Sequence, residues 1–265
     1  MNDFEMPEGI RPRRKGPIVE EIRRREEAFK ESALERWLAS VPHTHHGFSL
    51  KDIKDDRWGG KLDRSEVAQV LRYIQSGGTR FMLLQGPEGV GKSTLAVTVL
   101  SELVKEDGKK AKHYVVPQLL SAFSFPRDGE DPLGDASKVP FLLLDDMGAG
   151  NGTMTDHQQR SMWALIDARW SNPNLRTIIT TNMSQNDQRE GMGLRSWLGT
   201  AAWARVADDL TQITIKGESF RGRGEFSDYK EPVSGRTTRS RPEEAESAPR
   251  GFGKGVAGYR NERRG

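Results

Sequence analysis

One nine-residue loop constrains this chain more than anything else in it. Gly86-Pro87-Glu88-Gly89-Val90-Gly91-Lys92-Ser93-Thr94 lies between the apolar run Phe81-Met82-Leu83-Leu84 and an apolar-rich stretch that continues to Lys105. It fits G-x-x-x-x-G-K-[ST] in the setting that gives the pattern meaning, with a strand before it and a helix opening at its lysine. Glycines let a backbone wrap closely around phosphate. Successive N–H groups and the helix N-terminus then point at the anion. Lys92 is placed to reach the β- and γ-phosphates. Ser93 is placed to ligate Mg2+, a cation that seeks oxygen and bridges phosphates. The expected ligands are ATP and Mg2+, with all nine loop residues in the binding set.

The rest of the chain supplies the layers such a loop needs. Short apolar runs at 111–116, 139–144, 175–181 and 212–216 read as strands. Between them 92–105, 117–125 and 156–170 read as helices, and 126–138 as a polar loop. This alternation predicts an α/β fold, a central parallel sheet covered on both faces. A further helix is expected over 63–75, with Asp63 as N-cap and Glu66 completing a capping box.

Two strand ends carry chemistry. Phe141-Leu142-Leu143-Leu144 runs into Asp145-Asp146. The first carboxylate is the candidate Mg2+ ligand and the second the candidate group that polarises an attacking water. Ile178-Ile179-Thr180-Thr181 runs into Asn182, a candidate for orienting that water. In sheets of this kind, active groups collect at the carboxyl ends of the strands.

The ends of the chain read differently. Residues 1–60 are expected to form an N-terminal extension, mobile at first and then helical over 17–40, where Ile18, Ile22, Phe29, Leu34, Trp37 and Leu38 make a loose apolar stripe. Residues 222–265, rich in Gly, Arg, Ser, Pro and Glu, are expected to be a disordered tail. The absence of cysteine excludes disulfides and thiolate metal sites. No apolar run reaches the roughly 20 residues of a membrane helix, and a cytoplasmic protein is expected (host cytoplasm if phage-encoded). A net charge of +3 is too small to identify a nucleic-acid binder from bulk charge. His43, His45 and His46 read as a solvated loop, and Trp163, Trp170, Trp197 and Trp203 as helix packing.

With the three strand-end elements in order, the chain resembles the AAA+ ATPases of the DnaC/IstB type, the helicase loaders and transposition helper ATPases. The likeness runs from about Asp63 to Arg221 and rests on more than the loop. Leu144-Asp145-Asp146-Met147-Gly148, Leu165-Ile166-Asp167-Ala168-Arg169-Trp170, Thr180-Thr181-Asn182, Ala204-Arg205-Val206 and Lys216-Gly217-Glu218-Ser219-Phe220-Arg221 stand in the family's sequence order. The resemblance implies a three-layer P-loop NTPase domain over 61–221 without a C-terminal helical lid. It also implies ATP hydrolysis and Arg205 as an arginine finger acting on a neighbouring subunit, with Arg195 the competing candidate. A replicative DNA helicase gripped by the 1–60 segment, single-stranded DNA, and self-assembly into a ring or spiral are the implied partners. The family's DNA-facing insertion corresponds to Val116–Lys138, where Phe123 and Phe125 read as local core. A transposase helper ATPase and a non-hydrolysing nucleotide-gated adaptor remain alternatives.

Overall fold

The computed structural model describes residues 17–55, 61–75, 78–150, 152–184, 193–217 and 219. The described strands are β1 (Phe81–Gln85), β2 (Ala111–Val115), β3 (Phe141–Asp145), β4 (Arg176–Thr181) and β5 (Leu210–Thr214), in the spatial order β2-β3-β4-β1-β5. Every pairing is parallel, with Leu84 beside Thr180 across β1 and β4, and Val115 beside Asp145 across β2 and β3. Parallel neighbours need crossovers, and helices fill both faces.

Alternation along the strands sorts the core into two layers. Met82, Leu84, Phe141, Leu143, Ile178 and Ile213 face one side, against α4 (Lys92–Asp107) and α3 (Arg64–Gln75). Phe81, Leu83, Leu142, Leu144 and Ile179 face the other. There they meet α5 (Val116–Ser124), α7 (Asp156–Trp170), α8 (Leu194–Leu198) and α9 (Thr200–Asp208). Helix α3 starts as its sequence requires. Asp63 Oδ1 accepts from the Ser65 and Glu66 N–H groups, while Glu66 Oε2 accepts from the Asp63 N–H.

The described residues before 61 pack on the domain. Helix α1 (Pro17–Ala39), a 3-10 turn (His43–His45) and α2 (Leu50–Lys54) all pack against α4. Ala33, Trp37, Val41 and Ile53 are buried in the same cluster as the sheet. Trp37 is 1% exposed, and its indole N–H donates to Ser101 Oγ of α4 at 3.1 Å. The described part of the 1–60 segment therefore contributes to the core. The reason is the stripe itself, whose C-terminal members are large enough to exclude water from the outer face of α4. Its N-terminal members Ile18 and Ile22 remain exposed, at 75% and 52%. Trp37→Ala is expected to destabilise the whole domain by about 3–5 kcal/mol, read as a shift in the denaturant midpoint. A loss below about 1 kcal/mol would mean that α1 is only loosely attached.

The polar stretch after α5 also differs from expectation. Asp131 accepts from the Gly134 N–H and caps a short helix, α6 (Pro132–Lys138), with Pro132 in its first turn. Phe123 is buried, as expected, but Phe125 is 82% exposed because the chain leaves α5 at that residue. The expected strand over 212–216 lies two residues earlier, at Leu210–Thr214. The expected tail, 222–265, lies outside the described residues, as do residues 218, 220 and 221 of the last family-like motif.

Arg169 ties the α7 layer to the sheet. Its guanidinium is fully buried and donates to the Ala136, Val139, Pro140 and Arg176 carbonyls and to Thr177 Oγ1, at 2.6 to 3.5 Å. Burial pulls its pKa down to about 9, partly offset by Tyr73, so it stays charged at neutral pH.

Candidate nucleotide site

The site forms where β1, β3 and β4 end. After Gln85 the chain turns through the loop and enters α4 at Lys92. Gly86 passes so close to the chain after β5 that a Cβ there would lie 2.4 Å from the Ile215 carbonyl oxygen. Gly91, the N-cap of α4, has φ 91°, a left-handed conformation that favours glycine. Lys92 is buried, and its Nζ donates to the Gly86 and Pro87 carbonyls at 3.0 and 2.7 Å. The loop thus curls around its own ammonium, a cradle with a cation and the helix-start N–H groups where phosphate oxygens can sit.

Alternation places the next groups. Asp145, Thr180 and His113 follow the period-two pattern that puts Leu143, Ile178 and the α4-facing residues on one side. Ser93 Oγ donates to Asp145 Oδ1 at 2.8 Å, and Thr180 Oγ1 donates to the same oxygen at 2.5 Å. His113 Nε2 lies 3.4 Å from Asp145 Oδ2. The contact is long, and His113 Nε2 has no shorter polar partner among the described residues. Burial pushes the Asp145 carboxyl up, but His113, Thr180 and Ser93 together outweigh it and leave the pKa below the usual carboxylate value. Asp145 is therefore an anion at neutral pH, bonded to Ser93.

Ser93 and Asp145 are both hard oxygen donors, the chemistry Mg2+ takes alongside phosphate oxygens and water. Among the described residues, no cluster of three or more His, Asp or Glu side chains could hold a metal by itself. The three histidines at 43–46 are not simply solvated. His46 Nε2 meets the Val41 carbonyl oxygen at 3.0 Å, and the His43 and His46 rings lie 4.8 Å apart.

Asp146 follows Asp145 with φ 56°, a left-handed turn that Asp tolerates better than most residues. Its N–H donates to Thr180 Oγ1 at 2.9 Å, so Thr180 holds both members of the acidic pair. The Asp146 side chain is exposed at the strand tip, and Asn182 is exposed one residue past β4. Gln85 Nε2 donates to the Met183 carbonyl at 2.9 Å, which fixes the β1 and β4 tips side by side.

Arg205 is elsewhere. It sits on α9, half-buried, paired through Nε with Asp167 Oδ1. Its guanidinium lies 5.5 Å from the Trp163 ring and 5.3 Å from the Trp170 ring. Its contacts are with α7 and not with the loop of its own chain. Arg195 is exposed on α8. Sequence reasoning brought together Lys92, Ser93 and Asp145, and the structure adds Thr180 and His113. Counting every second residue along the strands would have found Thr180. Nothing in the sequence alone aligns His113 with Asp145, because the β2–β3 register sets that distance.

The model of the IstB-like ATP binding protein family matches residues 36–227. No curated protein matches the chain. Among solved structures, the crystal structure of DnaI aligns with a TM-score of 0.52 at 20% identity, covering 68% of this chain and 93% of that one. A putative primosome component from Streptococcus pyogenes serotype M3 aligns with a TM-score of 0.52 at 19% identity, covering 68% and 92%. The replication initiator DnaA bound to AMPPCP and single-stranded DNA aligns with a TM-score of 0.50 at 14% identity, covering 67% and 52%. These likenesses show the fold. Among the described residues, no helix is long and apolar enough to cross a membrane.

Proposed function

This chain belongs to the IstB-like ATP binding protein family, and from that premise we propose that it is an ATPase of the DnaC-type helicase-loader kind. The observation that carries the proposal is the Lys92–Ser93–Asp145 arrangement, a phosphate cradle bonded directly to a buried, ionised carboxylate. Lys92 and the loop N–H groups bind the β- and γ-phosphates. Ser93 and Asp145 would hold Mg2+, which would supply charge neutralisation at the phosphate oxygens. Asp146 accepts a proton from the attacking water, and Asn182 orients that water. Arg205 of a neighbouring subunit brings a cation to the γ-phosphate, so turnover depends on assembly.

The partner side rests on the ends of the domain. Ile18 and Ile22 lie exposed at the start of α1, while the same stripe, further on, anchors the helix to α4. That end of the 1–60 segment is the surface we assign to a replicative helicase. The stretch Val116–Lys138, with Phe125 exposed and Arg127 beside it, is the surface we assign to single-stranded DNA. The S. pyogenes neighbour's description as a primosome component fits a replication role. The family's IstB name supports a second reading, a transposase helper ATPase, which would favour double-stranded DNA.

The test is ATP turnover by the wild-type chain with and without single-stranded DNA and a replicative helicase. Stimulation by either is expected. ATP binding without turnover in every combination would replace the ATPase by a nucleotide-gated adaptor, and stimulation by double-stranded DNA alone would favour the transposase helper.

A further inference from the structure

Asp145 is held unevenly. Ser93 Oγ and Thr180 Oγ1 both donate to Oδ1, at 2.8 and 2.5 Å. Two bonds to one oxygen anchor that oxygen and leave the carboxylate plane free to turn about it. The plane is set only when the other oxygen is engaged as well. Oδ2 faces His113, whose Nε2 lies 3.4 Å away. Both side chains are 7% exposed, and Nε2 is a buried nitrogen with no hydrogen-bond partner among the described residues. A buried polar atom left in that condition costs stability and calls for a reason.

The fold makes the encounter. β2 and β3 run parallel with Val115 beside Asp145, so His113, two residues earlier, lies on the same α4-facing side. It meets Asp145 from the β2 side, while Thr180 meets it from the β4 side. The 3-10 turn closes the same corner. It packs on α4, and His45 Nδ1 lies 3.1 Å from Thr94 Oγ1. Burial lowers the His45 pKa, Asp145 opposes it and His113 adds to it, so β2, α4 and the turn meet around this carboxylate. With so little exposure, Oδ2 depends on protein donors, and an imidazole N–H is the one that faces it.

We propose that His113 is a positioning residue for Asp145: its Nε2–H fixes Oδ2 and so sets the plane in which the carboxylate meets Mg2+. The inference rests on the nucleotide-site reading above and deepens it. A histidine that bonds a metal-holding carboxylate orients it, and loss of such a partner weakens metal binding about 10–100-fold. Hydrogen bonds at such sites are often long before the ligand arrives and tighten around it. The contact therefore matters most in the metal-bound complex. Phosphate binding by Lys92 and the loop N–H groups does not run through it.

The test titrates the full chain with ATP by calorimetry, once with Mg2+ and once in EDTA. The readout is the gain in ATP affinity that Mg2+ confers. In His113→Leu, which fills the space without a donor, that gain is expected to fall about tenfold or more, with the affinity in EDTA as in wild type. His113→Gln returns an N–H close to the place of Nε2 and is expected to recover most of the gain. His113→Asn, whose amide stops at the place of Nδ1, is expected to resemble leucine, and it carries the test if leucine unfolds the chain. Equal loss with and without Mg2+, an undiminished gain in the leucine and asparagine variants, or a glutamine variant no better than these would overturn the assignment of His113 alone. A wild-type chain that binds no ATP in either condition, or gains nothing from Mg2+, would instead remove the nucleotide-site or the metal-site reading and this inference with it.

Discussion

Truncation of Arg169 to alanine is expected to lower the melting temperature by about 10 °C or more, or to leave the chain unfolded at 37 °C. The side chain is fully buried and donates five hydrogen bonds to neutral acceptors on three segments, the end of α6, the approach to β3 and the start of β4. Removing it leaves a cavity and strands buried carbonyls, each worth about 1–3 kcal/mol when unsatisfied. Their sum approaches the whole stability of an ordinary domain, about 5–15 kcal/mol. Arg169→Lys is expected to recover only a small part, because an ammonium cannot present a planar fork of five donors. Arg169→Met restores most of the volume but none of the donors, and is expected to resemble alanine. A shift under about 2 °C in Arg169→Ala would show that the carbonyls find water instead.

Lys92→Ala is the second change with a large expected effect, and it acts chiefly on the site. Lys92 Nζ donates to the Gly86 and Pro87 carbonyls, so the ammonium is already at the centre of the loop before any ligand arrives. Without it the cradle keeps its N–H donors and loses its charge. Charge-assisted contacts to phosphate are about twice as strong as neutral ones. A loss of about 100-fold in ATP affinity, near 2.7 kcal/mol, is therefore expected by calorimetry. The unliganded protein is expected to lose about 1–3 kcal/mol of stability, because the Gly86 carbonyl is buried and left without its donor, whereas Pro87 is exposed and water can replace the lysine there. Wild-type ATP affinity in this variant would mean that the loop is a structural turn and that phosphate binds elsewhere or not at all.

Much of the architecture is legible in the sequence because it follows from short-range rules. The apolar runs at Phe81–Leu84 and Phe141–Leu144, each ending in polar loop residues, read as strands buried on both faces, and the Asp63–Glu66 pair writes its own helix start. The Lys92, Ser93 and Asp145 grouping follows once those strands are parallel, since parallel strands gather their carboxyl ends at one edge. What the sequence leaves open depends on packing at a distance. The turn at 43–46 is polar and reads as solvent-facing, yet Trp37 and Ile53 on either side are buried against α4 and carry His45 to Thr94. The α6 helix is hidden by its Pro, Gly and Asp content, which suits a loop until Asp131 is seen to cap it. Arg169 is visible only as one letter of a motif. Its role appears when three segments bring their carbonyls to the same point.

The proposed role of Arg205 decides whether the site is shared between subunits. Its guanidinium is paired with Asp167 and flanked by Trp163 and Trp170, away from the loop of its own chain, so acting on a neighbouring subunit requires it to exchange these partners. The most direct measurement is ATP turnover, with single-stranded DNA and a replicative helicase present, by Arg205→Ala, by Lys92→Ala and by an equal mixture of the two. Each variant alone is expected to lose about 10³-fold in rate. The mixture should recover a substantial part, because the intact site of one subunit then meets the intact arginine of the other. Wild-type turnover in Arg205→Ala, or a mixture no faster than its components, would contradict a site shared between subunits.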